Sequence, residues 1–197
     1  MKKSGGRIRI DLKLPLVLAS GSPRRKELLE LMGIQYTVDV SDVDESFVGS
    51  PENMVLELSA RKAASVAARH PDALVLAADT LVFGDEVLGK PGTPERAREM
   101  LRALSGKWHS VYTGLTLMDT QSGREIRRAD MTRVHFVELS DAEIERYVAG
   151  KEPLDKAGAY GIQGQGGMFI DRIDGSYSNV VGLPMAMLRD MLMEIQA

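Results

Sequence analysis

The most constraining feature of this sequence is the run from Ala73 to Phe83, eleven residues of which only Asp79 and Thr80 are polar. A strand with one face in water would alternate apolar and polar residues. A nearly continuous apolar run predicts a strand covered on both faces, and so a central strand in a layered α/β protein. Asp79 breaks the pattern. A carboxylate in a buried strand is costly unless it is paired, coordinated or protonated, and functional sites are where such costs are tolerated. A carboxylate capping a loop at the strand's end would be the plainer account. Leu81-Val82-Phe83 weaken it by continuing the apolar run.

Around this strand, apolar runs alternate with helical patterns. Leu14 to Ala19 reads as a short buried strand that stops at Ser20-Gly21-Ser22. Pro23 then opens a helix with Ser22 as its expected N-cap. Leu28, Leu29 and Met32 supply its buried stripe, and Gly33 its stop. Gln35 to Val40 is a second strand, followed by an acidic loop at Asp42, Asp44 and Glu45. Ser50-Pro51 starts a helix in which Val55, Leu58, Lys62 and Val66 share one face, and His70-Pro71 closes it. Gly84-Asp85 predicts a hairpin turn into Glu86-Val87-Leu88. Thr93-Pro94 begins a helix that Ser105-Gly106 ends. Val111 to Met118 and Met131 to Leu139 read as an antiparallel pair around a turn at Gln121-Ser122-Gly123. Ser140-Asp141-Ala142-Glu143 is a capping box, with Gly150 as the stop. Gly-rich residues 158–167 lead into a strand from Met168 to Ile173, and Leu183-Pro184 opens the last helix. Parallel and antiparallel strands together predict an α/β fold with a bent mixed sheet and flanking helices.

Composition narrows the function. At 197 residues the chain is expected to be one domain, with residues 1–13 as an N-terminal extension. Zero cysteines exclude a disulfide framework, a thiolate metal site and a cysteine nucleophile. A net charge of −3 argues against coating a nucleic-acid polymer. No apolar run approaches the ~20 residues needed to span a bilayer, and the start at Met1-Lys2-Lys3 lacks the apolar core of a signal peptide. A cytoplasmic protein with no membrane partner is expected. His70, His109 and His135 show no metal-ligand spacing and are expected at surfaces or strand edges. The eleven methionines are expected to fill core.

Four further segments could carry chemistry. Ser20-Gly21-Ser22-Pro23-Arg24-Arg25 joins a strand to a helix N-terminus, where unpaired N–H groups, two hydroxyls and two guanidinium groups suit an anion such as phosphate. An ordinary cap with solvated arginines fits the same residues. Lys62 lies on an apolar helix face, either snorkelling or pointing into a site. Lys90, in Gly89-Lys90-Pro91, reads by itself as a solvated loop lysine. The loop at Asp42, Asp44 and Glu45 offers the carboxylate oxygens that Mg²⁺ prefers, and also reads as a plain acidic loop. In Asp155-Lys156-Ala157-Gly158-Ala159-Tyr160-Gly161-Ile162-Gln163-Gly164, glycines flank Gln163 and allow close backbone approach to a ligand. Its amide can match a donor–acceptor pair on a base edge.

Taken in order, several blocks resemble the Maf family of nucleotide pyrophosphatases from about Leu16 to Leu192. They are Leu18-Ala19-Ser20-Gly21-Ser22-Pro23-Arg24-Arg25, Arg61-Lys62-Ala63, Ala77-Ala78-Asp79-Thr80, Gly89-Lys90-Pro91, Leu104-Ser105-Gly106, the Gln163 segment, and Val181-Gly182-Leu183-Pro184. The resemblance implies an elongated mixed sheet with two lobes and a central cleft, a fold shared with the inosine-triphosphatase group. It implies hydrolysis of a nucleoside triphosphate between the α and β phosphates, a divalent cation (Mg²⁺ or Mn²⁺) and a homodimer. By position, Asp79 matches the family's general base. Ser22, Arg25, Glu45, Lys62 and Lys90 match its phosphate- and metal-handling positions, with Glu45 and Asp79 as metal ligands. Arg24, Thr80 and Gln163 match the branch that prefers dTTP and UTP. Two readings compete with this one: a nucleotide-binding regulator of division that does not hydrolyse its ligand, and a pyrophosphatase of 7-methyl-GTP.

Overall fold

The computed structural model describes residues 10–197. Seven strands are described: β1 (Leu16–Leu18), β2 (Tyr36–Val38), β3 (Leu74–Phe83), β4 (Val87–Leu88), β5 (Trp108–Asp119), β6 (Glu125–Phe136) and β7 (Ile170–Asp174). They form one mixed sheet in the order β2-β1-β3-β5-β6-β7, with β4 also on β3. β1 is parallel to β2 and β3, and every other pairing is antiparallel. The helices are α1 (Pro23–Leu31), α2 (Pro51–Ala67), α3 (Pro94–Leu104), α4 (Asp141–Ala149), α5 (Tyr177–Val181) and α6 (Met185–Ile195).

Local chemistry sets most helix starts. Proline opens α1, α2 and α3, where its fixed φ suits the first turn and its missing N–H costs nothing. Ser50 and Thr93 cap α2 and α3 through side-chain bonds to Asn53 N–H and Arg96 N–H. Ser140 and Glu143 form the expected capping box. Ser22 does sit at the N-cap of α1, but its hydroxyl makes no cap bond. Its own N–H donates to Ser20 Oγ at 3.3 Å instead.

The long strands β3, β5 and β6 run between two lobes. In one lobe, α1 and α6 pack on β1 and the first half of β3, around Leu18, Leu29, Leu76, Leu117 and Leu188. In the other, α3 and α4 pack on Val82, Val111, Val134 and Phe136. On the opposite face, α2 covers Val17, Val75 and Ala77. β3 is therefore covered on both faces, as its apolar run requires.

Several expectations are corrected. β6 begins at Glu125, six residues before Met131, because its first half is charged yet pairs fully with β5. There Ile126 packs on the core, while Arg128 pairs with Glu194 of α6. β5 likewise begins earlier, at Trp108. β7 begins at Ile170, since Gln165–Phe169 form a 3₁₀ turn that buries Phe169 against Tyr147 and Phe136. The five-residue α5 is too short to show a period and was not anticipated. β1 and β2 are trimmed to three residues each. His109 is not at a surface: it is 3% exposed and bonds Tyr160 Oη through Nε2 at 2.8 Å. Met100 and Met191 do fill core, but Met131, Met168 and Met193 are exposed.

Residues 1–9 of the expected N-terminal extension, and with them the expected absence of a signal peptide, lie outside the described residues. Ile10 and Leu12 pack against the first lobe, and Lys13 N–H donates to Gln196 Oε1 at 2.9 Å. No described helix is long and apolar enough to cross a membrane.

Candidate active site

The site lies at a break in one sheet edge. β1 pairs only with Leu74, Val75 and Leu76 of β3. β4 pairs with Val82 and Phe83. Between them, beyond the bond from Ala19 N–H to Leu76 O, the chain turns away at Ser20 and that edge of β3 has no strand beside it among the described residues. Asp79 and Thr80 fall in this break, and successive residues of a strand point to opposite faces. A cleft of about 720 Å³ opens there. Its walls include all nine residues that the resemblance matched to functional positions: Ser22, Arg24, Arg25, Glu45, Lys62, Asp79, Thr80, Lys90 and Gln163; Asp42 and Asp44 of the acidic loop do not line it.

On the Asp79 face, α2 delivers Lys62. Its Nζ lies 2.6 Å from Asp79 Oδ1 and 2.8 Å from Glu45 Oε1. α2 can come this close because Gly114, paired across the sheet with Asp79, has no side chain. A Cβ at Gly114 would stand 2.4 Å from Val55 O on α2. Burial pushes the Asp79 carboxyl above the ordinary carboxylate range, despite the opposing pull of the Lys62 ammonium and Arg25. Glu45, more exposed, is held below that range by its bond to Lys62, with Lys90 and Arg25 adding to the effect.

On the Thr80 face, Arg25 ties three segments together. Its Nε donates to Gly182 O at 2.9 Å, its Nη1 to Ser20 Oγ at 3.0 Å and its Nη2 to Thr80 Oγ1 at 3.1 Å. A guanidinium has five N–H groups, so two remain for a ligand. Burial lowers its pKa from the ordinary arginine value, but a guanidinium stays charged in a protein. The hydroxyl protons can be assigned by elimination. Thr113 Oγ1 donates to Asn179 O at 3.0 Å, so Thr80 donates in the 3.0 Å Thr80–Thr113 bond. Thr80 has then spent its only proton, and toward a ligand it offers an acceptor lone pair.

At the cleft mouth, Arg24 faces Asp155 at 4.0 Å. Two further wall residues have their side chains engaged within the protein. Ser20, read from the sequence as one of two hydroxyls for an anion, is the acceptor for Arg25 just described. Lys156 donates to Glu152 O at 2.8 Å and Asp155 Oδ1 at 2.7 Å. Glycines and serines in the loops around them were the visible signal; that Arg25 also reaches Thr80 and Gly182, 55 and 157 residues away, was not.

The profile of a family described as Maf-like protein matches residues 15–195. The chain belongs to the Maf family. A protein of Bacillus cytotoxicus named dTTP/UTP pyrophosphatase is 50% identical over 175 residues, covering 87% of this chain and 91% of the relative. A Bacillus cereus protein of the same name is 48% identical over 176 residues, covering 88% and 91%. Among solved structures, a HAM1 protein from Coxiella burnetii superposes with a TM-score of 0.56 at 20% identity, over 92% of this chain and 99% of that one. That likeness is one of fold: the mixed sheet with flanking helices is common to both.

The Maf cleft thus carries two carboxylates sharing one ammonium on one face, and a half-buried guanidinium with two donors outside these bonds on the other. Among the described residues, no three acidic or imidazole groups converge closely enough to hold a metal on their own. Asp79 and Glu45 do present hard oxygen donors to one point, held here by the Lys62 ammonium. Mg²⁺ typically takes one or two carboxylates and completes its shell with water and substrate phosphates, so the donor set fits such a cation once a polyphosphate is bound.

Proposed function

We propose that this Maf-family chain hydrolyses dTTP and UTP to the monophosphate and pyrophosphate. The observation that carries the reading is Asp79: a carboxylate of raised pKa, beside an ammonium, at the break in β3 where the cleft opens. The names of the Bacillus relatives give the substrate class.

Cleaving a triphosphate is mainly a matter of positioning and charge stabilisation. Arg25, Lys62 and Lys90 line one cleft and supply fixed positive charge for the phosphates. The Ser22 hydroxyl, not engaged in capping, and the free N–H groups at the start of α1 add donors. Asp79 takes a proton from the attacking water as its oxygen adds to the α phosphorus. The α–β anhydride bond breaks and pyrophosphate leaves. A base works best when its pKa approaches the working pH, and burial moves Asp79 that way. Glu45 holds Lys62 from the other side. A divalent cation at Asp79 and Glu45 would supply further charge neutralisation to the phosphates. Arg24, Thr80 and Gln163 read the pyrimidine. The acceptor lone pair of Thr80 suits the N–H edge that uracil and thymine share. We further propose a single domain, a homodimer and a cytoplasmic location, with no nucleic-acid or membrane partner.

The test is pyrophosphate release with Mg²⁺ from dTTP, UTP, CTP, ITP and 7-methyl-GTP. The expected result is a kcat/KM for dTTP and UTP at least about tenfold above the rest, the size of discrimination that pocket contacts supply. Tight UTP binding without turnover would make the chain a non-hydrolysing binder. Activity confined to 7-methyl-GTP would reassign its branch.

A further inference from the structure

Gln163 sits at the tip of a tight turn: Gly164 N–H donates to Gly161 O at 3.1 Å, with Ile162 and Gln163 between them. Both ends of this turn are fastened to two side chains outside the cleft wall. Tyr147, on α4, accepts from Gly161 N–H at 3.2 Å and donates its proton to Glu152 Oε1 at 3.0 Å. Past the tip, Glu152 Oε2 accepts from Gln165 N–H at 3.0 Å, and Oε1 from Gly166 N–H at 3.4 Å. The backbone wraps this carboxylate so closely that side chains have no room. A Cβ at Gly164 would lie 2.2 Å from Glu152 Oε1, and one at Gly166 would lie 2.6 Å from Tyr147 Oη.

Neither Tyr147 nor Glu152 lines the cleft, whereas Gln163 does. The amide's place is therefore fixed from behind. The fastening also calls for a carboxylate. An ionised carboxylate only accepts, and here its two oxygens meet three donors. A glutamine of the same shape would turn its NH₂ either toward Gln165 N–H or toward Gly166 N–H and Tyr147. In the first orientation the exposed Gln165 N–H loses its acceptor, and in the second the buried Gly166 N–H is left unpaired.

We propose that Glu152, with Tyr147, is a positioning residue that sets where Gln163 meets the base, and so governs substrate selection without touching substrate. This rests on the reading that Gln163 contacts the pyrimidine. The experiment compares wild type, Glu152→Gln, Tyr147→Phe, Gln163→Ala and the Glu152→Gln/Gln163→Ala double variant on UTP and CTP.

Glu152→Gln should raise KM for UTP about tenfold with kcat within about threefold, and narrow the preference for UTP over CTP, as loss of uniform base binding would. In the Gln163→Ala background the same change should have no further effect, because both act through one side chain. An unchanged KM in a folded Glu152→Gln protein overturns the inference. So does an effect that multiplies independently on top of Gln163→Ala, or a loss confined to kcat. If Glu152→Gln does not fold, Tyr147→Phe is read by the same criteria. It keeps the ring packed on Phe169 at 5.0 Å and removes only the hydroxyl; a silent Tyr147→Phe would then overturn the inference. Wild type that releases no pyrophosphate from UTP or dTTP refutes the proposed function itself. Active wild type with an unaffected Gln163→Ala refutes only the positioning role.

Discussion

Gly114→Ala adds one methyl group under α2, on the Asp79 face of the sheet, and should disable the enzyme. Gly114 pairs with Asp79 across β3 and β5. A Cβ there would stand 2.4 Å from Val55 O, 2.5 Å from Val55 C and 2.9 Å from Leu56 N. All three are backbone atoms of α2, so no side-chain rotation relieves the contact. Carbon and carbonyl oxygen settle at about 3.3 Å or more, which leaves a shortfall of about 0.9 Å for α2 or β5 to absorb. Lys62 rides on α2 and reaches Asp79 at 2.6 Å. A displacement of that size breaks the bond and misplaces the ammonium. Misplacement by about 1 Å at a catalytic centre costs on the order of 10²-fold. Overpacking should cost about 1–3 kcal/mol of stability, offset in part by the ~0.5–1 kcal/mol that alanine gains over glycine within a strand. The assays are pyrophosphate release from UTP and urea unfolding. Gly84→Ala is the control, because its Cβ would meet Leu104 Cδ2 at an ordinary 3.5 Å. Gly114→Ala with wild-type kcat and an unchanged unfolding midpoint would refute the argument that Gly114 sets the approach of α2.

Two other groups give predictions with a definite sign. Burial pushes the His109 pKa down to about 4, against about 6.5 when unfolded. Between those values the unfolded chain binds a proton that the folded chain does not, so stability falls as pH drops from about 6.5 to about 4. The loss is on the order of 3 kcal/mol. Urea unfolding at pH 7 and 4.5 should show that His109→Gln loses less on acidification than wild type; equal losses would assign the effect to other groups. Asp79→Asn should reduce kcat by about 10²–10⁴-fold with an intact circular dichroism spectrum. Substantial activity in a folded Asp79→Asn protein would remove Asp79 from the role of base.

Much of the architecture was legible because its signals are local. The apolar run of β3, the prolines that open α1, α2 and α3, and the capping box of α4 each act within a few residues through backbone sterics and single hydrogen bonds. The charged first half of β6 was missed because its pairing with β5 and its contact with α6 override a sequence that reads as surface. His109 was misread for a similar reason. One histidine in a strand carries no sign of the Phe136 and Tyr160 rings that enclose it.

Residue types and their local spacing were set along the chain, and the resemblance picked out which of them match the family's positions. How they meet is a matter of packing. β1 ends after three residues, and that length opens the edge of β3 at Asp79 and Thr80. Arg25 finds its acceptor at Gly182, 157 residues away. The turn bearing Gln163 is held by a carboxylate that the sequence reading did not notice. These are consequences of strand length, register and chain return. They depend on which distant segments pack together, and the net charge of −3 conceals them: in the cleft walls Arg24, Arg25, Lys62, Lys90 and Lys156 outnumber Glu45, Asp79 and Asp155, an excess of positive charge that only folding gathers in one place.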